Sequence, residues 1–290
     1  MDYPNPDALV SPEWLEQHLE APDVHIVDAT YFLPSQDRNA REEYEEVRIP
    51  GAVFFPIDEI ADPDTDLPHN LPSAERFASK VADLGLGDGV RIVCYDANGL
   101  ASAAARVWWM FRVFGHEDVA VLNGGLPRWF REQRPLEEFT DPPRPTRRHF
   151  TPRTNHLLVR DREQVRANID SRREQLVDGR PADRFRGTAE ETWPVTHYGH
   201  VPGAYNVPFL DLMDNRELTM LPPDQLRQRF ADAGVDLDRP VTTMCGSGVT
   251  AAVVNLALYL LGHKEAALYD GSWVEWGNDD SVPVETGDAA

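Results

Sequence analysis

The feature that most constrains the fold is an internal repeat, because both halves of this 290-residue chain carry the same landmarks in the same order. The shared landmarks are the apolar strands Val24–Asp28 and Gln175–Asp178, the Pro-Gly-Ala runs at 50–52 and 202–204, and the pairs Gly115-His116 and Gly262-His263. Gly124 lies nine positions after Gly115, and Gly271 lies nine positions after Gly262. The chain is therefore predicted to build one folding unit twice.

In each half, short apolar strands alternate with amphipathic helices, which is typical of a parallel sheet with helices on both faces. The predicted class is α/β, with two tandem domains. Between them, Glu137–Arg153 carries four prolines among charged residues and shows little apolar periodicity. Such a segment is typical of an extended interdomain linker. We place the boundary near residue 145, which gives domains of residues 1–144 and 145–290.

The second half contains a cysteine at the start of a glycine-rich loop. The sequence predicts a strand from Val241, then Cys245, then a tight turn at Gly246 and Gly248, and then a helix over Thr250–Leu261. The N–H groups of such a loop form an anion-binding nest, and the helix directs its positive end toward the sulfur. These surroundings favour the thiolate and make a cysteine nucleophilic. The alternative is a buried structural cysteine, the common state of free cysteines.

The corresponding loop of the first half has no thiol, because Asp96 occupies the position of Cys245. The first domain is therefore predicted to be catalytically inert. Cys94 lies within the preceding strand and is interpreted as buried and structural. Two cysteines cannot form a disulfide framework, and neither lies at a zinc-ligand spacing. We expect no metal and a reducing compartment.

The formal net charge of −21 argues against nucleic-acid or anionic-membrane partners, which are bound through basic patches. The sequence has neither a signal-peptide pattern nor an apolar run of about 18 residues, so we expect a cytoplasmic protein. Arginine supplies 26 of the 28 basic residues, since Lys80 and Lys264 are the two lysines. This composition resembles proteins of salt-loving organisms. An ordinary acidic protein from a GC-rich genome is the alternative.

Taken together, these features resemble the two-domain rhodanese family of sulfurtransferases over nearly the whole chain. The run Arg106–His116 is similar to the first-domain helix of that family, and Gly199–Ala204 is similar to a landmark of its second domain. The run Cys245–Thr250 is similar to the loop of 3-mercaptopyruvate sulfurtransferases, whereas thiosulfate-specific relatives tend to have Cys-Arg-Lys-Gly. The resemblance implies an α/β fold and a sulfur-transfer activity that needs no cofactor.

The resemblance also implies a mechanism and its substrates. Cys245 would take a sulfane sulfur from a small anionic donor, either 3-mercaptopyruvate or thiosulfate, and hold it as a persulfide. A thiophilic acceptor such as cyanide or a thiol would then remove that sulfur. The persulfide would be stabilised by the backbone N–H groups of Gly246, Ser247, Gly248, Val249 and Thr250.

Three further roles follow from the same resemblance. Arg184 corresponds to the substrate arginine, whose guanidinium can bind a carboxylate or sulfonate through paired hydrogen bonds. Asp58 and His69 correspond to residues that assist the loop, with Ser247 as the relay. A second carboxylate-binding arginine is expected nine residues beyond Arg184, but Trp193 stands there. The sequence therefore leaves the donor open.

Other residues close to Arg184 in the sequence are given no role in binding the donor, or only an alternative one. Arg180 and Arg186 are interpreted as ordinary salt-bridging residues. Either Trp193 itself or a neighbour such as His197 could replace the missing arginine at the donor site.

Two other functions are alternatives to a sulfurtransferase. Cysteine phosphatases use a longer loop closed by an arginine six residues after the cysteine, and here that residue is Ala251. A sulfur-carrier or sensory module would retain Cys245 but lack a dedicated donor site, which Arg184 argues against. We expect a monomer or a weak oligomer.

Overall fold

The computed structural model describes residues 3–289 and shows two domains. The strands of the first domain are β1 (Leu9–Val10), β2 (Val24–Asp28), β3 (Val47–Arg48), β4 (Val53–Phe54), β5 (Arg91–Tyr95), β6 (Val119–Leu122) and β7 (Glu137–Glu138). Its helices are α1 (Pro12–Gln17), α2 (Ala40–Glu46), α3 (Ile57–Ile60), α4 (Ala74–Asp83), α5 (Ser102–Val113) and α6 (Gly125–Arg131).

The second domain repeats the five strands of the main sheet and adds a hairpin of its own, formed by Met213–Asp214 and Thr219–Met220. Its strands are β8 (Val159–Arg160), β9 (Gln175–Asp178), β10 (Tyr205–Asn206), β11 (Met213–Asp214), β12 (Thr219–Met220), β13 (Val241–Met244) and β14 (Ala267–Tyr269). Its helices are α7 (Arg162–Ser171), α8 (Ala182–Phe185), α9 (Pro223–Asp232), α10 (Ala251–Leu260) and α11 (Ser272–Trp276).

Each domain is built on a five-stranded parallel sheet, and the two sheets have the same topology. The strand order is β4-β2-β5-β6-β1 in the first and β10-β9-β13-β14-β8 in the second. In the centre of the second sheet, Met244 of β13 is paired with Asp178 of β9. The loops that follow these two strands consequently leave from one edge of the sheet, where doubly wound folds place their ligands. The predicted α/β class and the duplication are both confirmed.

The two domains are joined by a pair of buried helices. All residues of α5 except Ser102 are buried, and so are all residues of α10 except Tyr259. A helix that is buried around its whole circumference is covered on every side, and α5 encloses two arginines, Arg106 and Arg112, in this way. Here each helix lies between its own sheet and the helix of the other domain, and Trp108 of α5 contacts Tyr259 of α10 with ring centroids 5.3 Å apart. The core is thus continuous across the domain boundary.

The segment between the domains differs from the predicted linker at its beginning. Glu137–Glu138 forms β7, which pairs antiparallel with β3, so this part belongs to the first domain. As predicted, residues 140–155 contain no helix or strand. They are nevertheless packed against the first domain and do not extend into solvent. The Arg153 N–H donates to the Phe114 carbonyl at 2.8 Å, and Phe150 is buried. Proline-rich composition predicted the extended backbone but not its packing.

Two further boundaries are close to the predictions. The helix expected over Thr250–Leu261 extends over Ala251–Leu260, and the strand expected from Val241 ends at Met244, directly before Cys245. Within the described residues, no helix is both long and apolar enough to cross a membrane.

Candidate active site

The Cys245 loop connects β13 to α10 at the carboxyl edge of the second sheet. Gly248 has a left-handed φ of 79°, and a Cβ there would lie 2.9 Å from the Asp270 carbonyl oxygen and 3.1 Å from Nη1 of Arg106. Glycine is therefore required at this position. Gly246 was predicted to serve the same purpose, and that prediction is wrong. Its φ is not left-handed, and a Cβ there would point into open space.

The backbone donors of this loop are unused by the protein. Within residues 3–289, none of the five N–H groups from Gly246 to Thr250 donates a hydrogen bond to another protein group. Unsatisfied N–H groups are costly when they are buried, and more than nine in ten are paired in native proteins. A run of free donors beside a cysteine is an arrangement that can bind an anion.

The backbone of Cys245 itself is held by Ser272, a residue that the sequence analysis did not identify. The Cys245 N–H donates to Ser272 Oγ at 3.2 Å, and that hydroxyl donates to the Tyr269 carbonyl at 2.9 Å. Ser272 is fully buried and has a φ of 51°, a conformation that L-residues rarely adopt. The repeat carried a signal for this residue, because the corresponding position in the first domain is a glycine, Gly125, at φ 53°.

Cys245 lies at the base of a cleft between the two domains, although the cysteine itself is only 1% exposed. The cleft has a volume of about 240 Å³. The first domain contributes Tyr31, Leu33, Gln36, Asn98, Leu100 and Ser102, and the second contributes Arg180, Pro181, Arg184, Thr192, Trp193, Phe209, Cys245, Gly246, Ser247, Val249 and Thr250. Gly248 was predicted to bind substrate, but it is not among the lining residues and packs against Arg106 instead.

The two arginines that line the cleft differ in their charge balance. Arg180 is buried and forms ion pairs with Asp178 at 2.7 Å and Glu191 at 2.6 Å. Burial works against its charge, but the two carboxylates outweigh that effect and raise the pKa of Arg180. Arg184 donates from Nη1 to the Thr192 hydroxyl and, among the described residues, has no carboxylate within ion-pairing distance. Arg184 is thus the cleft arginine without a directly paired carboxylate, although it also exerts an electrostatic effect on Glu191.

The other predicted neighbours divide between the cleft and the surface. Trp193, which replaces the expected second arginine, does line the cleft. His197 does not, since its imidazole pairs with Asp280 at 2.8 Å on the surface. Arg186 is exposed and pairs with Asp288, which confirms its interpretation as a surface salt bridge. Arg180 is also salt-bridged as predicted, but within the cleft wall.

Asp58 and His69 are brought together as a pair, and His69 reaches the back of the cleft wall. The distance from His69 Nδ1 to Asp58 Oδ1 is 2.7 Å. The imidazole is buried and lies edge-on to Tyr31 and Trp193, with ring centroids 4.5 and 5.6 Å apart. Its Nε2 has no hydrogen-bond partner among the described residues, and no bond joins it to Ser247. The geometry therefore contains the pair but not the complete relay.

Cys94 is a structural residue, as predicted. It is fully buried in β5, and burial raises the pKa of its thiol well above the usual range. Both cysteines are free. The described residues contain no cluster of His, Cys, Asp and Glu that could hold a metal ion.

Comparison with known proteins gives consistent matches along the chain. The sequence model of the rhodanese-like domain matches residues 11–132 and again 161–279. Human 3-mercaptopyruvate sulfurtransferase is 43% identical over 275 residues, which cover 93% of this chain and 91% of the human protein. Rat thiosulfate sulfurtransferase is 42% identical over 277 residues, which cover 93% of this chain and 91% of the rat protein.

Solved structures give the same result. The crystal structure of SseA from Escherichia coli, described with the 3-mercaptopyruvate sulfotransferases, superposes with a TM-score of 0.83 at 39% identity. The match covers 92% of this chain and 98% of SseA. The Tum1 protein of Saccharomyces cerevisiae has a TM-score of 0.86 at 28% identity and covers 97% of this chain and 98% of its own.

Proposed function

This chain belongs to the rhodanese family of sulfurtransferases, and we propose that Cys245 is the residue that carries the transferred sulfur. One observation supports this most: Cys245 lies at the base of a cleft, and the five N–H groups that follow it donate to no other protein group. A persulfide carries its negative charge on the outer sulfur. Donors that are already fixed in place stabilise that charge without reorganisation.

The first half-reaction transfers one sulfur atom to the Cys245 thiolate. With thiosulfate, the thiolate attacks the sulfane sulfur, a new S–S bond forms, and the old S–S bond breaks. Sulfite leaves with the electron pair of that bond. With 3-mercaptopyruvate, a C–S bond breaks instead, and the thiol proton must reach the departing carbon to give pyruvate. In the second half-reaction, cyanide or a thiol attacks the outer sulfur and regenerates the thiolate.

Arg184 is proposed to hold the anionic end of the donor. Arg180 is already held by ion pairs with Asp178 and Glu191, whereas the Arg184 guanidinium has no carboxylate within ion-pairing distance among the described residues. No basic side chain follows Cys245 in the loop. One guanidinium matches the single carboxylate of 3-mercaptopyruvate better than the two charges of thiosulfate. We therefore propose 3-mercaptopyruvate as the preferred donor, with Trp193 packing against it.

The Asp58–His69 pair is proposed to assist proton movement through Ser247. Histidine is suited to proton transfer near neutral pH, and Asp58 fixes its Nδ1. Ser247 lines the cleft, so a hydroxyl is available on the side of the reacting sulfur. Because only 3-mercaptopyruvate requires a proton at the leaving carbon, loss of His69 should slow its turnover more than that of thiosulfate.

The remaining assignments concern the whole protein. We propose domains of residues 1–144 and 145–290, since the two matched stretches lie on either side of that boundary. The free thiols support a reducing, cytoplasmic location, and the charge of −21 supports a high-salt environment. The same charge favours a monomer or a weak oligomer through self-repulsion.

The test is to measure kcat/KM for 3-mercaptopyruvate and for thiosulfate, both with cyanide as acceptor and in molar salt. We expect catalytic turnover with both donors and the higher value for 3-mercaptopyruvate. A higher value for thiosulfate would overturn the donor assignment. A single stoichiometric transfer without turnover would instead identify a sulfur carrier.

A further inference from the structure

The run Arg106–His116 marks the first-domain helix, but the proposed function gives no role to its first residue. Arg106 lies on α5 of the inert domain and is fully buried. A buried guanidinium is costly unless its charge and its N–H groups are satisfied. The groups that contact the Arg106 guanidinium therefore indicate the role of this buried charge.

Two of the four partners of Arg106 are His69 and Gly248, which belongs to the Cys245 loop. Nη2 donates to the His69 carbonyl at 2.6 Å and lies 2.7 Å from Oδ1 of Asp270. Nη1 donates to the Gly248 carbonyl at 3.4 Å, within the Cys245 loop. The guanidinium also stacks over the Trp109 ring, 4.5 Å from its centroid. One side chain of the first domain thus contacts both the assisting histidine and the cysteine loop.

Asp270 completes this connection from the second domain. It follows β14, two residues before Ser272, and its Oδ2 accepts a hydrogen bond from the Leu71 N–H at 2.8 Å. Leu71 is two residues beyond His69, which has a left-handed φ of 61°. The strained segment at His69 is therefore held at both its carbonyl and a nearby N–H by one interdomain ion pair. We refer to Arg106 and Asp270 as the interdomain clasp.

The repeat supplies a counterpart to the clasp that has no charge. Asn123 follows β6 as Asp270 follows β14, and its Oδ1 accepts from the Met220 N–H at 2.9 Å. Leu71 and Met220 both lie three residues before a helix, α4 in one domain and α9 in the other. If the clasp only joined the domains, a neutral amide would suffice, as it does at Asn123. The ion pair occurs on the side that carries Cys245.

We infer that Arg106 is a positioning residue for sulfur transfer, which sets the cysteine loop and His69 in register across the domain boundary. This inference rests on the proposed function of Cys245. The guanidinium fixes the Gly248 carbonyl, so the adjoining N–H groups remain directed at the persulfide. A displacement of about 1 Å in such a site lowers rates by roughly a hundredfold.

The experiment compares the neutral double variant Arg106→Gln/Asp270→Asn with the control Arg112→Gln. Arg112 is also buried on α5 and also reaches the second domain, donating to the Lys264 carbonyl at 2.8 Å, but it contacts no residue of the cleft. The double variant avoids leaving one charge buried alone. The readouts are the melting temperature, and kcat and KM measured separately with cyanide as acceptor.

We expect the double variant to lose about tenfold or more in kcat with a smaller change in KM. Arg112→Gln should lower the melting temperature but keep the parental kcat. Parental kcat in the folded double variant would overturn the inference. An equal loss of kcat in Arg112→Gln would also overturn it, because the effect would then belong to the domain interface in general.

A second variant keeps the test decisive if the double variant fails to fold. Arg106→Lys retains the charge opposite Asp270 but loses the forked donors, so it should fold and still lose kcat. Parental kcat in this variant would contradict the inference. The proposed function is tested separately, since the parent must first form a persulfide on Cys245. If the parent does so while the variants behave like it, only the role of Arg106 is wrong.

Discussion

The two domains share one topology, but their corresponding loops use backbone N–H groups in opposite ways. In the first domain, Asp96 accepts from the N–H groups of Gly99 at 2.9 Å and Ala104 at 3.2 Å. The Asn98 side chain accepts from the Leu100 N–H, and Thr30 accepts from that of Ala97. The Cys245 loop leaves its donors free. A side-chain carboxylate thus accepts in one domain from loop N–H groups whose counterparts in the other domain have no protein acceptor among the described residues.

The two domains also differ in backbone strain at one corresponding position. Gly125 and Ser272 occupy corresponding positions and share a left-handed backbone, which costs glycine little but costs serine of order 1–3 kcal/mol. The second domain retains that strain together with a hydroxyl that holds the Cys245 N–H. The comparison indicates that catalysis depends on a few local departures from a stable common fold.

The largest effect is expected from the cysteine pair, which places one thiol in each domain. Cys245→Ser should abolish sulfur transfer, because a hydroxyl cannot form a persulfide. Cys94→Ser should retain nearly parental kcat and lose some stability, since it puts a hydroxyl in an apolar strand. Steady-state assays and thermal unfolding measure both. Turnover in the Cys245 variant would end the proposed mechanism.

A smaller loss is expected when Arg184, the proposed anion anchor of the second domain, is removed. Arg184→Ala should lower kcat/KM for either donor by about 1.5–3 kcal/mol, the range for hydrogen bonds to charged groups. Arg186→Ala is the matched control, because Arg186 is exposed and pairs with Asp288 outside the cleft. The idea is refuted if the Arg184 variant keeps its parental kcat/KM while the Arg186 variant loses it.

A stability difference with pH is expected from the strand-end aspartates. Asp178 is paired with Arg180, whereas burial raises the pKa of Asp28 to about 6. The folded first domain therefore binds a proton more tightly than the unfolded chain, whose aspartate pKa is about 3.9. The contribution of Asp28 to the free energy of unfolding is greatest below about pH 4. It falls by up to about 3 kcal/mol as the pH rises to 6.

Asp28→Asn should remove this dependence. Its free energy of unfolding, relative to the parent, should increase between pH 4 and pH 6.5 in denaturant titrations at constant salt. A relative stability that stays level or declines over that interval would show that Asp28 is charged in the folded state at low pH.

The smallest effect concerns both domains equally, because the charge of −21 is spread over the chain. Raising KCl from 0.1 M to above 1 M shortens the Debye length from about 10 Å to about 3 Å and screens the carboxylates from one another. We expect the melting temperature and the activity to rise together. Arginine pairs such as Arg128–Glu132 could instead neutralise the surface carboxylates locally. In that case the melting temperature and the activity will stay level or fall with added salt, and the halophile proposal is wrong.

The sequence predicted the features that depend on local pattern. The strands Val24–Asp28 and Gln175–Asp178 end at the predicted residues, because apolar runs bounded by turn residues define a buried parallel strand. The cysteine loop and Arg184 were found from motif and resemblance. The position of Arg106 against Gly248 was not predictable, since it depends on contacts between residues 142 positions apart in the chain. Gly246 was misjudged because composition does not reveal which glycine carries the left-handed turn.

The most direct test of the central claim is to locate the sulfur after one half-reaction. The parent protein is treated with 3-mercaptopyruvate or thiosulfate without an acceptor, digested under non-reducing conditions, and analysed by mass spectrometry. We predict the addition of one sulfur atom to the peptide that contains Cys245, none to the peptide that contains Cys94, and removal of that sulfur by cyanide. Sulfur on Cys94, or on neither cysteine while turnover proceeds, would contradict the account.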